Sequence, residues 1–540
     1  MTAPRSRLVW LVIDGLSWQL VEQRAACRPD STLTRALRER KAIRLMPLAP
    51  NCQTPPSLFS IFSGTDVTRH GLTGYLVPTP SHDTPFGFAD GFTAWPRDIP
   101  MVWDRWAAAG QRLRLCAAPF VQPARLGDAL VGRTNVYGGI AVAPDTVRDG
   151  GRLTIPALDI DMQVEAVEDG IALHDVRRAS DSPRLVPMDG TLALPLAPHV
   201  PHGNAYRAIA LHAMRIDGAP TLISLGYRAV DVLGDTAPLA AFPACDPARL
   251  YANGRLGRRL DEGGDGAAER ALVSLMRIVH DSFATDIVAA VRAADADCVV
   301  GYDPVIDLLS HHLLKYVDPR QPASPASRVV DALFDTALGW IDALLDACLA
   351  ASPEPVRCIA HSDHGMAPVH QDLFPNAFFE QAGLLDYDAA GQPDPLRSAA
   401  LFHPAENGLV MLHPANLAAK GFDHETLIEA WRAALPGSMR DGWHDFDGPG
   451  TTPPELPPVA GWRAQCYWQA PPGTRLRYAR SAQVVQASRK GGDHAVWSGD
   501  PWLQGILADV GHQPVGLPDQ AALALSEIAA LVCPEHANAT

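Results

Sequence analysis

The chain has 540 residues, 47% of them hydrophobic and 19% charged, with a formal net charge of -15. That is the composition of a soluble globular protein long enough for a large core with insertions, and its acidic balance gives no sign of a surface built to follow nucleic-acid phosphates or an anionic membrane. Nine scattered cysteines without a Cys-x-x-Cys pair argue for reduced thiols in a cytoplasmic protein and against a disulfide frame or zinc ribbon.

The first apolar run, LVWLVI (8–13), is too short for a signal peptide or a membrane span. It reads as a strand of a parallel sheet, buried on both faces. It stops at Asp14, followed by Gly15. Alone, Asp-Gly after a strand reads as a turn, but the carboxyl ends of such strands are also where open α/β sheets bind ligands. TPPSLFSIFSG (54–64) reads as a helix with Pro in its first turn. Thr54 is then the N-cap, its hydroxyl facing the free N–H groups and the positive end of the helix dipole, a place that suits anions.

RLRLCAAPF (112–120) reads as a further core strand, and residues 135–245, with short alternating runs among Gly and Pro, as a β-rich insertion. DEGGDGAAER (261–270) reads as a link back into the core, leading to a helix over 269–294, the strand CVVGYDP (298–304), a long amphipathic helix over 326–352 and the strand VRCIAHSDHG (356–365). Residues 371–475, including the Pro-rich TTPPELPPVAGW, read as an α+β cap insertion. DQAALALSEIAALV (519–532) closes the chain as a helix. The expectation is an α/β fold with a mostly parallel sheet flanked by helices: core segments 1–134, 246–370 and 476–540, and insertions 135–245 and 371–475.

Acidic and histidine residues stand just beyond three of the expected strands: Asp14, then Asp307 and His311 in DLLSHH, then Asp363 and His364 in SDHG. Asp307 and His311, four apart, share one face if that segment is helical. His494 in GGDH adds an imidazole in a Gly-flanked loop. Mixed carboxylate and imidazole sets with open positions suit catalytic zinc. A threonine hydroxyl becomes a useful nucleophile when a base or metal lowers its pKa.

Asp14 in VIDG, Thr54 in TPPSLFSIFSGTDVTRHGLTGY, Asp307 and His311 in YDPVIDLLSHH, Asp363 and His364 in SDHGM, and His494 in GGDH together resemble the type I phosphodiesterase/nucleotide pyrophosphatase family of the alkaline phosphatase superfamily. The resemblance covers about residues 5–130, 270–370 and 485–500, and implies an alkaline-phosphatase-like core. It further implies two Zn2+ ions, or Mn2+, which accepts similar ligands. Asp307, His311 and His494 would hold one, and Asp14, Asp363, His364 and the Thr54 oxygen the other. Thr54 would attack phosphorus, and the resulting phosphothreonine would then be hydrolysed.

One position departs from the family's pattern. An Asn that often follows the HG motif is replaced by Tyr75, which either donates its hydroxyl to a phosphoryl oxygen or packs. His70 reads as structural, and Arg69, Arg489 and Lys490 as surface charges that could otherwise meet phosphate. Trp18, Phe59, Tyr75 and Trp103 are the candidate faces for a leaving group. Cys52, two residues before Thr54, is the competing nucleophile. CQTPP lacks the Pro and Arg of a sulfatase Cys-x-Pro-x-Arg motif. The expected activity is hydrolysis of phosphodiester or pyrophosphate bonds in a small-molecule substrate, with a phosphomonoesterase or phosphotransferase using the same site as the alternative.

Overall fold

The computed structural model describes residues 7–533 apart from 50, 136, 138, 179–181, 198–204, 239–249, 251–265, 406, 446–455, 457 and 496–497. Cys245, the first half of the expected link at 261–270 and much of the Pro-rich run at 451–462 thus lie outside the described residues. From Ala267 the chain is already helical.

A nine-stranded sheet forms the centre. In chain order its strands are β1 (Leu8–Ile13), β2 (Ala42–Met46), β3 (Leu113–Ala118), β4 (Leu130–Thr134), β5 (Asp231–Leu233), β6 (Cys298–Asp303), β7 (Arg357–His361), β8 (Gly505–Asp509) and β9 (Ala522–Ala524). Their spatial order is β5-β4-β3-β6-β1-β7-β8-β2-β9. The run β4-β3-β6-β1-β7 is parallel throughout, and β2 pairs parallel with β9. The strand β8 runs antiparallel to both β7 and β2, and β5 antiparallel to β4.

Parallel strands covered on both faces have to be apolar along their whole length. Accordingly every residue of β1 and β6 is buried. The covering helices include α1 (Thr54–Ser63), α2 (Ala267–Ala293), α3 (Val305–Leu313) and α4 (Pro325–Ala351). Their apolar faces join the strands in one core containing Trp10, Phe62, Leu272, Ile287, Phe334 and Ile341.

Between β4 and β5 the chain forms two four-stranded antiparallel sheets. They enclose a separate core that includes Val164, Leu173, Val186, Ile209 and Leu222. Strand Ile160–Val167 shows the inside-outside alternation of a half-buried strand. Between β7 and β8 a further four-stranded sheet and the helices Pro375–Gln381 and His424–Ala434 surround Phe379, Leu401, Val410, Trp431 and Trp468.

Two local expectations are corrected. The last segment is not one helix: residues 522–524 form β9, and only Ile528–Val532 is α-helical. Pairing the open edge of β2 outweighs the helix-forming Ala and Leu content of that segment. Thr54 is also not the N-cap: Gln53 is, with extended backbone, and Thr54 is the first residue inside α1. The eight described cysteines are free thiols. No helix among the described residues is long and apolar enough to cross a membrane.

Candidate active site

The site lies where β6, β1 and β7 end side by side. Ile13 is in register with Asp303, and Val12 with His361, so the residues following the three strands emerge at one sheet edge. Asp14 follows β1 and donates its backbone N–H to the Asp303 carbonyl at 2.9 Å. Asp363 and His364 follow β7. Asp307 lies in the first turn of α3, and His311 one turn later, with its Nε2 3.4 Å from Asp307 Oδ2.

Two close approaches bring these elements together. Gly15 has φ +69°, and a Cβ there would lie 2.7 Å from Asp307 Cα. Only a residue without a side chain lets the end of β1 come so near α3. Gly491 passes α3 just as closely: its N–H donates to the His311 carbonyl at 2.8 Å, and a Cβ would lie 2.3 Å from the His312 oxygen. That passage delivers His494, whose Nε2 is 3.4 Å from Asp307 Oδ1.

His364 Nε2 stands at the junction, 3.3 Å from Asp14 Oδ1, 3.2 Å from Asp363 Oδ2 and 3.1 Å from Thr54 Oγ1. The rings of His364 and His494 stack with centroids 3.8 Å apart. Donor atoms of Asp14, Asp363 and His364 lie within 4.8 Å of one another, as do those of Asp307, His364 and His494. His364 belongs to both sets, while His311 reaches the cluster through Asp307.

The imidazoles share one tautomer. Nδ1 of His311 faces the Gly492 carbonyl at 3.0 Å, that of His494 the Cys52 carbonyl at 3.0 Å and that of His364 the Gly365 carbonyl at 2.9 Å. A carbonyl can only accept, so each Nδ1 carries the proton and each Nε2 turns a lone pair toward the cluster. Burial holds the rings neutral, pushing His364 down to about 3, His494 to about 4 and His311 well below its ordinary value.

Neutral rings leave the carboxylates uncompensated. Burial raises Asp14, and burial together with the neighbouring Asp14 raises Asp363 well above its ordinary value. Asp14 Oδ1 and Asp363 Oδ2 are buried with no hydrogen-bond partner. Buried, unsatisfied carboxylate oxygens facing imidazole lone pairs form a donor set suited to divalent cations.

The Thr54 hydroxyl also contacts the Tyr75 phenol, at 2.7 Å. Burial and the nearby Asp307 and Asp14 carboxylates push that phenol well above its ordinary pKa, so it stays a neutral donor. Cys52 points elsewhere, with its Sγ 3.1 Å from the Leu48 carbonyl, and burial raises its thiol pKa. His70 is buried between the Ser60 hydroxyl and the Leu72 N–H. Arg69 and Arg489 are exposed, and Lys490 pairs with Asp493 at 2.8 Å. Phe59 and Trp103 are core residues with no exposed surface. Trp18 lies under the Arg44 guanidinium. Tyr75 is the candidate aromatic that meets the cluster.

Two residues at the site are not among those singled out from sequence. The hydroxyls of Tyr137 and Tyr302 both bond Asp14 Oδ2, Tyr137 at 3.1 Å. The strand carrying Tyr302 is buried on both faces, which erases the alternation that would show where its side chain points. Tyr137 lies in a Gly-containing loop with no periodicity to read.

No family model matches the chain, and no curated protein does. Several solved structures resemble it over almost its whole length. Phosphonoacetate hydrolase from Sinorhizobium meliloti 1021 gives a TM-score of 0.46 at 12% identity, covering 98% of this chain and 96% of that one. Wild-type alkaline phosphatase PafA gives 0.44 at 13%, covering 99% and 96%. Murine ectonucleotide pyrophosphatase/phosphodiesterase 5 gives 0.43 at 10%, covering 98% and 94%. Fold and site describe an α/β protein whose mostly parallel sheet ends in a buried cluster of carboxylates, imidazoles and one threonine hydroxyl.

Proposed function

We propose that the protein is a metal-dependent phosphoric ester hydrolase of the phosphodiesterase/nucleotide pyrophosphatase type, with Thr54 as nucleophile. The observation that carries this reading is the Thr54 hydroxyl at the centre of the cluster, 3.1 Å from His364 Nε2, beside buried unsatisfied oxygens of Asp14 and Asp363. Asp307, His311 and His494 would hold one divalent cation, and Asp14, Asp363, His364 and the Thr54 oxygen a second, with zinc favoured by the ligand types. Such ions supply Lewis acidity to a threonine oxygen and positive charge to phosphoryl oxygens.

The chain's own residues then act as follows. Thr54 loses its proton and its oxygen forms a bond to phosphorus while the bond to the leaving oxygen breaks. Water next displaces the Thr54 oxygen from phosphorus, and the threonine regains a proton. The Tyr75 hydroxyl, 2.7 Å from the nucleophile, is placed to donate to a phosphoryl oxygen, and its neutrality bears on specificity. A monoester brings one more negative charge than a diester and calls for a further cation near its oxygens. Arg69 and Arg489 are exposed, and Lys490 is held by Asp493.

We therefore expect higher kcat/KM on diesters or pyrophosphate-linked nucleotides than on monoesters. Zinc-loaded protein assayed on p-nitrophenyl mono- and diesters, with the sulfate ester as control, tests this directly. A monoester advantage of about tenfold, some 1.4 kcal/mol of transition-state stabilisation, would overturn the diester reading. Turnover of the sulfate ester alone would overturn the phosphoryl chemistry.

A further inference from the structure

The two oxygens of Asp14 meet opposite surroundings, one facing two phenol hydroxyls and the other left without a hydrogen-bond partner. Its Oδ2 accepts from the hydroxyls of Tyr137 and Tyr302, whose oxygens lie side by side. A carboxylate can only accept, so both phenols present hydrogen toward this corner, and Oδ2 is taken up by protein donors. Oδ1 is left buried without a hydrogen-bond partner, 3.3 Å from His364 Nε2. The result is a carboxylate turned so that one chosen oxygen faces the cluster.

The two phenols are themselves held in place. Tyr302 lies on β6 at 1% exposure, edge-on to Phe283 with centroids 6.4 Å apart. Tyr137 stacks on Phe92 at 4.2 Å and 10°, and Phe92 stacks on Phe120 at 5.5 Å and 21°. Neutral donors orient the carboxylate without adding positive charge that would compete with a cation. Tyr137 also belongs to the segment that leaves β4 for the double-sheet unit, so the root of that insertion reaches the site.

We propose that Tyr137 and Tyr302 are positioning residues that present Asp14 Oδ1 as a single-oxygen ligand, so that the base of the β-rich insertion completes one of the two metal positions. This rests on the two-metal reading above. Partners that orient a ligand from behind commonly contribute ten- to a hundredfold in metal affinity.

The test is a Zn2+ titration of metal-free wild-type protein, Tyr137→Phe, Tyr302→Phe and the double variant against a chromophoric chelator, with melting of each metal-free protein alongside. The expected result is two sites in the wild type, one of them weakened about ten- to a hundredfold in the variants and the other unchanged, with melting temperatures close to wild type. Two unchanged affinities in the double variant would overturn the proposal. So would equal weakening of both sites, which marks a general structural role. If Tyr302→Phe lowers melting, Tyr137→Phe, at a partly exposed position, decides alone. A wild type that takes up no Zn2+ would overturn the metal reading itself, an outcome distinct from failure of the tyrosines.

Discussion

Thr54 shows how much one residue's surroundings decide. Its hydroxyl has ordinary chemistry, but it is fully buried, inside the first turn of α1 and within hydrogen-bond distance of both Tyr75 and His364. In the proposed two-metal reading, removing that oxygen leaves three side chains for each metal. We expect Thr54→Ala to keep most of its bound metal and to lose turnover by about a thousandfold or more. Elemental analysis paired with steady-state assays checks this. A near wild-type rate in Thr54→Ala, with Cys52→Ala inactive, would show the nucleophile to be wrongly assigned.

Residue by residue, what was legible followed from position. Asp14, Asp363 and His364 stand out because an apolar strand halts at them, and Asp307 with His311 because spacing of four places both on one helical face. Tyr75 could be named but its role could not, since only the fold shows its oxygen beside Thr54. Tyr137 and Tyr302 gave no signal, because a fully buried strand and an aperiodic loop both conceal the direction of a side chain.

At the scale of elements, the site depends on how closely β1 and α3 pass. Gly15 is the contact point, with positive φ and no room for a Cβ. Alanine there costs about 1–2 kcal/mol for the left-handed backbone alone, and its methyl would push Asp307 away. We expect Gly15→Ala to lower stability by at least about that amount, and to weaken zinc binding at least about tenfold by disturbing the outer support of a ligand. Denaturant titration and chelator competition read the two effects. Unaltered stability together with unaltered metal content would contradict this role.

Elements with one clear periodicity were readable: α2 and α4 run within a residue or two of the expected limits. The C-terminal segment was not, because Ala and Leu serve a helix well, and only the neighbouring open edge of β2 makes residues 522–524 a strand. The N-cap lies one residue before the expected position and makes no side-chain cap bond. The Gln53 side chain accepts the Tyr75 N–H at 2.5 Å, which ties it to the loop instead of the helix end.

Over the whole molecule, the described residues form three apolar cores, and the candidate site gathers at one edge of the central sheet. Composition and pattern could suggest a β-rich and an α+β insertion, but not the pairing of their strands, which depends on contacts distant in sequence. The core also buries neutral histidines away from the cluster. Burial lowers His70 and His403 from 6.5 to about 4. Between those values the unfolded chain binds protons that the folded chain does not, so stability rises with pH across the window and is lost as pH falls through it. Each ring contributes up to about 3 kcal/mol. Urea unfolding at pH 7.5 and pH 5 should show a marked loss at the lower pH, with a shallower dependence for His70→Gln. Equal stability at the two values would contradict the neutral burial of these rings.

The proposed reading requires divalent cations at the sheet edge, and turnover should then follow their presence. The decisive measurement is turnover of a p-nitrophenyl phosphodiester as a function of zinc bound per chain, starting from protein never exposed to chelator. We expect close to two ions at the outset, activity lost as they are withdrawn and regained as they return. Full turnover by a chain that binds no divalent metal would contradict it.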